Sequence, residues 1–163
     1  MAGEMGAVFL VRHAKAADRE TWTGADRDRP LIERGRAQAE RLAAALAPER
    51  PVVVASSPWL RCVETAEPLA RALGLEVEPD DRLGYDGLDL AGFVQARVTA
   101  HAGRSVVAVS HGDLIPLYLA AAGLLDGHPR FRTGSLFRLE LHDGRPERAT
   151  LVDRHDLKQD RVR

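Results

Sequence analysis

The feature that most constrains this chain is a set of three short apolar runs, each of which stops abruptly at polar side chains. Residues 7–11 run into Arg12-His13, Val52–Val54 leads to Ser56-Ser57-Pro58, and Ser105–Val109 ends at Ser110-His111-Gly112-Asp113. Runs this short, valine-rich and without polar alternation read as strands buried on both faces. The segments between them read as helices. In Glu33–Ala47 the apolar positions Ala37, Leu42, Ala45 and Leu46 sit among good helix formers, and Pro48 follows. Trp59–Leu73 is helical in composition and Gly74 is a natural C-terminal stop. Strand alternating with helix is the signature of an α/β fold, here expected as a three-layer α/β/α sandwich around a mostly parallel central sheet.

The rest of the chain fits that frame. A short strand is expected around Glu76–Glu78, before the turn-rich stretch 79–92, and helices over Ala91–His101 and Ile115–Ala122. Ser135–Leu141 and Ala149–Val152 read as antiparallel strands about the turn His142-Asp143-Gly144-Arg145. A single domain over residues 1–163 is expected, with a frayed tail from about residue 154. A chain of this length buries roughly 68–70% of its unfolded surface and needs no covalent staple.

Composition excludes several classes of function. Basic and acidic side chains number 23 and 24, giving a formal charge of -1 and no electrostatic case for binding nucleic acid or a membrane surface. The single cysteine, Cys62, permits no internal disulfide and suits a reducing, cytoplasmic setting. No basic-then-apolar leader precedes the first strand, and the apolar run Leu114–Leu125 is too short to span a bilayer. His101, His128, His142 and His155 lack metal-ligand spacing and read as surface residues. A monomer is expected, because nothing in the sequence demands a dimer.

In open α/β sheets, ligands bind beyond the carboxyl ends of the strands. If the three strands are neighbours, Arg12, Arg61, His13 and His111 converge there. Two guanidiniums hold a phosphoryl group by forked hydrogen bonds that lysine cannot match. A helix N-terminus near Trp59 can add backbone N–H groups. One histidine can attack phosphorus while the other, protonated, stabilises the transferring oxygens.

Taken in order, Arg12-His13, Ser56-Ser57-Pro58 with Arg61 and Thr65, and Ser110-His111-Gly112 resemble the histidine phosphatase superfamily, whose fold is phosphoglycerate mutase-like. The stretch 28–43 is similar to that of small SixA-type members, and the chain also resembles the phosphatase domain of Nudix–phosphatase fusions. The resemblance implies that His13 is a nucleophile forming phosphohistidine, that Arg12 and Arg61 clamp the phosphoryl oxygens, and that His111 and Gly112 complete the pocket. It implies hydrolysis of phosphohistidine by water, with neither metal nor cofactor. Lys15, Trp22 and Arg29 are candidates for the pocket mouth. The family's usual glycine after the nucleophile is Ala14 here.

The general acid is the larger departure. Many members carry a glutamate in an L-x-E pattern, and here Leu83-Gly84-Tyr85 places tyrosine at that position. Asp86 and Asp81 are the nearest candidates, with Asp86 the better placed, although both, like Asp113, also read as turn formers or helix caps. A site poor in acid favours reactive phosphoryl donors such as phosphohistidine. The expected substrate is a small phosphorylated molecule, a nucleotide included, or a phosphohistidine protein. A phosphoglycerate mutase-type phosphotransferase and a non-catalytic phosphate-binding module are the alternatives.

Overall fold

The computed structural model describes residues 6–154. Four helices and six strands make up the described chain: β1 (Ala7–Arg12), α1 (Glu33–Leu46), β2 (Val53–Ser56), α2 (Leu60–Leu73), β3 (Glu78–Pro79), α3 (Leu90–Ala100), β4 (Val106–Ser110), α4 (Leu114–Ala121), β5 (Leu136–His142) and β6 (Arg145–Val152). The strands form one sheet in the order β3-β2-β4-β1-β5-β6. β1 to β4 are mutually parallel, whereas β5 runs antiparallel to β1 and β6 antiparallel to β5.

Successive residues of a strand face opposite sides, so the valine-rich runs feed two cores at once. Val8 and Leu10 of β1 with Val106 and Ala108 of β4 pack beneath Phe93 and Val94 of α3 and Ile115 and Leu119 of α4. Phe9, Val11, Val107 and Val109 face the other way, onto Leu42 and Leu46 of α1 and Cys62, Ala66 and Leu69 of α2. Those α2 residues recur at four- and three-residue steps and make one stripe. Deleting Phe93, which is fully buried, should cost about 3–5 kcal/mol.

Three differences from the expected boundaries have physical causes. β1, β2 and β4 continue into Arg12, Ser56 and Ser110, because ladder hydrogen bonds pair backbones whatever the side chain. β3 is shorter and later than expected, an edge pairing of Glu78 and Pro79 with Ala55 and Ser56. β6 begins four residues before Ala149, because Asp143 and Gly144, with φ of 48 and 73, close a two-residue turn whose twist matches the strands. Among the described residues no helix is long and apolar enough to cross a membrane. The expected leaderless start and frayed tail lie largely outside the described residues.

Candidate active site

The parallel register of β1, β2 and β4 brings their carboxyl ends to one edge: Arg12 pairs with Ser110, and Ser56 with Val109. The backbone N–H of His13 donates to the Ser110 carbonyl at 3.0 Å, and that of Ser57 to the Val109 carbonyl at 2.9 Å. The three polar segments therefore form one floor.

His13 is buried, 8% exposed. Its Nδ1 lies 2.8 Å from the Ala14 carbonyl oxygen. A carbonyl only accepts, so Nδ1 carries the proton and Nε2 holds the lone pair a nucleophile needs, where it accepts from Arg61 Nε. The turn behind it is held by side chains. Thr65 Oγ1 accepts the Ala14 N–H at 2.9 Å and donates to the Arg61 carbonyl, and Gln38 Oε1 accepts the Lys15 N–H. Gly35 admits this turn against α1, since a Cβ there would stand 1.9 Å from the Lys15 carbonyl oxygen.

Two guanidiniums and an imidazole surround His13. Arg61 is buried; its Nε lies 3.3 Å from His13 Nε2, and its Nη1 donates to the Asp26 carbonyl at 3.0 Å. Asp26 Oδ2 is 3.5 Å from Arg61 Nη2, while its Oδ1 accepts from Arg29 Nε at 2.8 Å. Burial works against the Asp26 carboxylate, yet the Arg29 hydrogen bond and the charges of Arg61, Arg29 and Arg19 hold its pKa below the ordinary range. Arg12 anchors through Nη1 on the Phe131 carbonyl, and its Nε occupies space that only glycine at 112 leaves open: a Cβ there would come within 2.4 Å of Arg12 Nε. His111 shares a hydrogen bond of 2.9 Å between Nε2 and Ser57 Oγ. Its ring packs 4.5 Å from Tyr85, 5.6 Å from Trp59 and 5.7 Å from His13.

The electrostatics of this floor bear on its two histidines. Burial, then the charges of Arg61 and Arg12, push His13 down to about 3 and His111 down to about 4. Those values favour neutral imidazoles near pH 7, and a phosphoryl dianion against His111 would raise its value again and favour the protonated form. Cys62, whose Sγ lies 3.7 Å from His111 Nε2, is pushed up to about 12 by burial and stays a thiol.

The structure brings together Arg12, His13, Arg61, His111, Gly112 and Lys15. Two other expected contacts have local neighbours of their own. Trp22 folds back over Gly24 and donates from Nε1 to the Ala25 carbonyl, because its short loop supplies that acceptor. Asp81 is exposed on a short 3-10 turn, with its Cβ against Gly87. Asp86 stands at the rim, accepting from Trp59 Nε1 at 3.3 Å. Asp113 is not the helix cap its position suggests: it makes no side-chain cap bond, and its Oδ1 accepts the Tyr85 hydroxyl at 2.8 Å. Sequence reasoning missed Asp26 and the aromatic role of Trp59, whose ring lies 4.9 Å from the Arg61 guanidinium. The one available signal was Asp26 three residues before Arg29, the i,i+3 spacing of an ion pair.

Residues 8–84 match the model of the Histidine phosphatase superfamily (branch 1). The solved structure of the protein histidine phosphatase SixA complexed with tungstate superposes with a TM-score of 0.69 at 27% identity, covering 90% of this chain and 94% of that one. Just under half of the chain is therefore similar to the histidine phosphatase superfamily in sequence, and nearly all of it is similar to SixA in fold. A curated relative, the 8-oxo-(d)GTP phosphatase of Mycolicibacterium smegmatis, is 46% identical over 66 residues, which is 40% of this chain and only 20% of that protein. Bacillus stearothermophilus YhfR shares the fold, with a TM-score of 0.70 at 21% identity over 91% of this chain and 98% of that one.

Proposed function

We propose that this chain is a histidine phosphatase, a metal-independent enzyme that passes a phosphoryl group from its substrate to His13 and then to water. The observation that carries the reading is the tautomer of His13, with Nδ1 tied to the Ala14 carbonyl and Nε2 held beside Arg61. Attack by Nε2 breaks the bond between phosphorus and the leaving oxygen. Arg12, Arg61 and His111 surround the oxygens on which charge builds, which is the positive charge a metal would otherwise bring. Water then displaces His13 and releases orthophosphate. The likeness to SixA supports phosphohistidine as a substrate and the likeness to the 8-oxo-(d)GTP phosphatase supports nucleotides.

The test is orthophosphate release from 4-nitrophenyl phosphate in the presence of EDTA. Release at an undiminished rate supports a metal-free hydrolase. Release of 4-nitrophenol with no orthophosphate, and with the phosphoryl group recovered on an added acceptor alcohol such as glycerol, would instead indicate a phosphotransferase of the mutase type.

A further inference from the structure

On one side of His13 the floor opens into a cavity of about 300 Å³, lined by Arg12, His13, Lys15, Asp18, Arg19 and Thr133 among others. In a chain whose formal charge is only -1, this wall gathers cations. Lys15 and Arg19 are exposed, and neither side chain has an ion-pair or hydrogen-bond partner among the described residues. Arg19 lines this cavity, and its charge also acts on Asp26 and Tyr85, working to lower the pKa of each. Arg154 donates to Thr133 Oγ1 at 3.1 Å, so the Thr133 hydroxyl has its own proton to offer. The opposing carboxylate, Asp18, is turned into its own loop, where Oδ1 accepts the Glu20 N–H at 2.9 Å. Trp22 is not among the residues that line this cavity, so its wall is basic rather than aromatic.

We infer that Lys15, Arg19 and Thr133 form a second anion subsite beside the phosphoryl pocket, and that the substrate is a phosphoanhydride of the nucleoside diphosphate class. The inference rests on the phosphatase reading above and narrows it. A second, independent feature of the site agrees. The Tyr85 hydroxyl donates its hydrogen bond to Asp113, so it is already committed and protonation of the leaving group is poorly served. An anhydride needs none. His13 Nε2 forms a bond to the terminal phosphorus as the bond from that phosphorus to the bridging oxygen breaks. The bridging oxygen keeps the electron pair and departs on a nucleoside monophosphate, which is stable as an anion. Water then attacks phosphohistidine, yields orthophosphate and returns its proton to solvent.

The experiment compares kcat/KM for adenosine diphosphate, inorganic pyrophosphate and 4-nitrophenyl phosphate in wild type, Lys15→Ala, Arg19→Ala and Lys15→Arg. Charge-assisted hydrogen bonds to phosphate predict about a ten-fold loss for each alanine variant on the two anhydrides, carried mainly by KM. The loss on 4-nitrophenyl phosphate should be at least five-fold smaller by the same estimate, and Lys15→Arg should recover most of the anhydride activity. Equal losses on anhydrides and aryl ester, or none on either, would overturn the subsite. Wild-type turnover of 4-nitrophenyl phosphate with no turnover of either anhydride would overturn it too and leave the phosphatase reading standing. Failure on all three substrates would remove both.

Discussion

The floor and the rim of this pocket are built on different principles. Every floor side chain is fixed by a hydrogen bond. His13 is tied to the adjoining Ala14 carbonyl, and three others reach remote partners: Arg61 the Asp26 carbonyl, Arg12 the Phe131 carbonyl and His111 the Ser57 hydroxyl. The rim is exposed and looser, with Lys15 and Arg19 on one side and Tyr85 and Asp86 on the other. The contrast teaches that reaction chemistry here is a property of the sheet edge, whereas choice of substrate is a property of the loops. Preorganised groups on rigid elements stabilise charge at little cost in reorganisation, and exposed cations select by attraction that salt can screen.

The contrast can be broken most severely at Gly112. Adding a methyl there drives a Cβ to within 2.4 Å of Arg12 Nε, and Gly112→Ala should lower kcat/KM by about 10²-fold on every substrate, the effect expected of a misplaced binding group. Preserved activity would mean that the Arg12 guanidinium is not rigidly seated. Asp26→Asn tests the next layer. It removes the charge that orients both Arg61 and Arg29, and a loss of about ten-fold in kcat with a smaller change in KM is expected. An effect confined to KM would move Asp26 from the floor to the rim.

At the rim the expected effects shrink. Asp86→Asn and Asp81→Asn should each change turnover of an aryl and of an alkyl phosphate by less than about three-fold, well short of the 10²–10⁴-fold typical of general acid catalysis. A loss of about 10³-fold on the alkyl ester alone would expose a true proton donor. The histidines sharpen the comparison without altering turnover at neutral pH. Their values of about 3 and about 4 lie below the ordinary 6.5. As pH falls from about 6.5, the unfolded chain binds protons that the native floor refuses, so stability should decline toward pH 4. Ring resonances of His13 and His111 should hold their neutral positions from pH 8 to about 5, and added orthophosphate should move the His111 titration upward. A titration near 6.5 for either would show that the floor is wetter than its burial implies.

The sequence made the floor legible because strand ends in an α/β sheet face a common edge, so three short valine runs were enough to align Arg12, His13, Arg61 and His111. The helices and their core stripes followed from periodicity. The rim was less legible for the opposite reason. Trp22, Asp81 and Asp113 sit in loops, where a side chain's direction depends on local partners that no periodicity announces: the Ala25 carbonyl, the Gly87 turn and the Tyr85 hydroxyl. Asp26 escaped notice because its importance lies in reaching Arg61 across 35 residues of chain. β6 was cut short because its exposed residues lack the apolar pattern on which strand reading depends.

The central claim is that the phosphoryl group passes through His13, and trapping that adduct tests it most directly. Wild type is mixed with 4-nitrophenyl phosphate, quenched within the first turnover and mapped by mass spectrometry under alkaline conditions. One acid-labile, base-stable phosphoryl group should appear on His13 and be absent from a folded His13→Ala variant that has lost about 10⁴-fold or more in turnover. A phosphoryl group on a serine or aspartate, or an active His13→Ala enzyme, would contradict the claim.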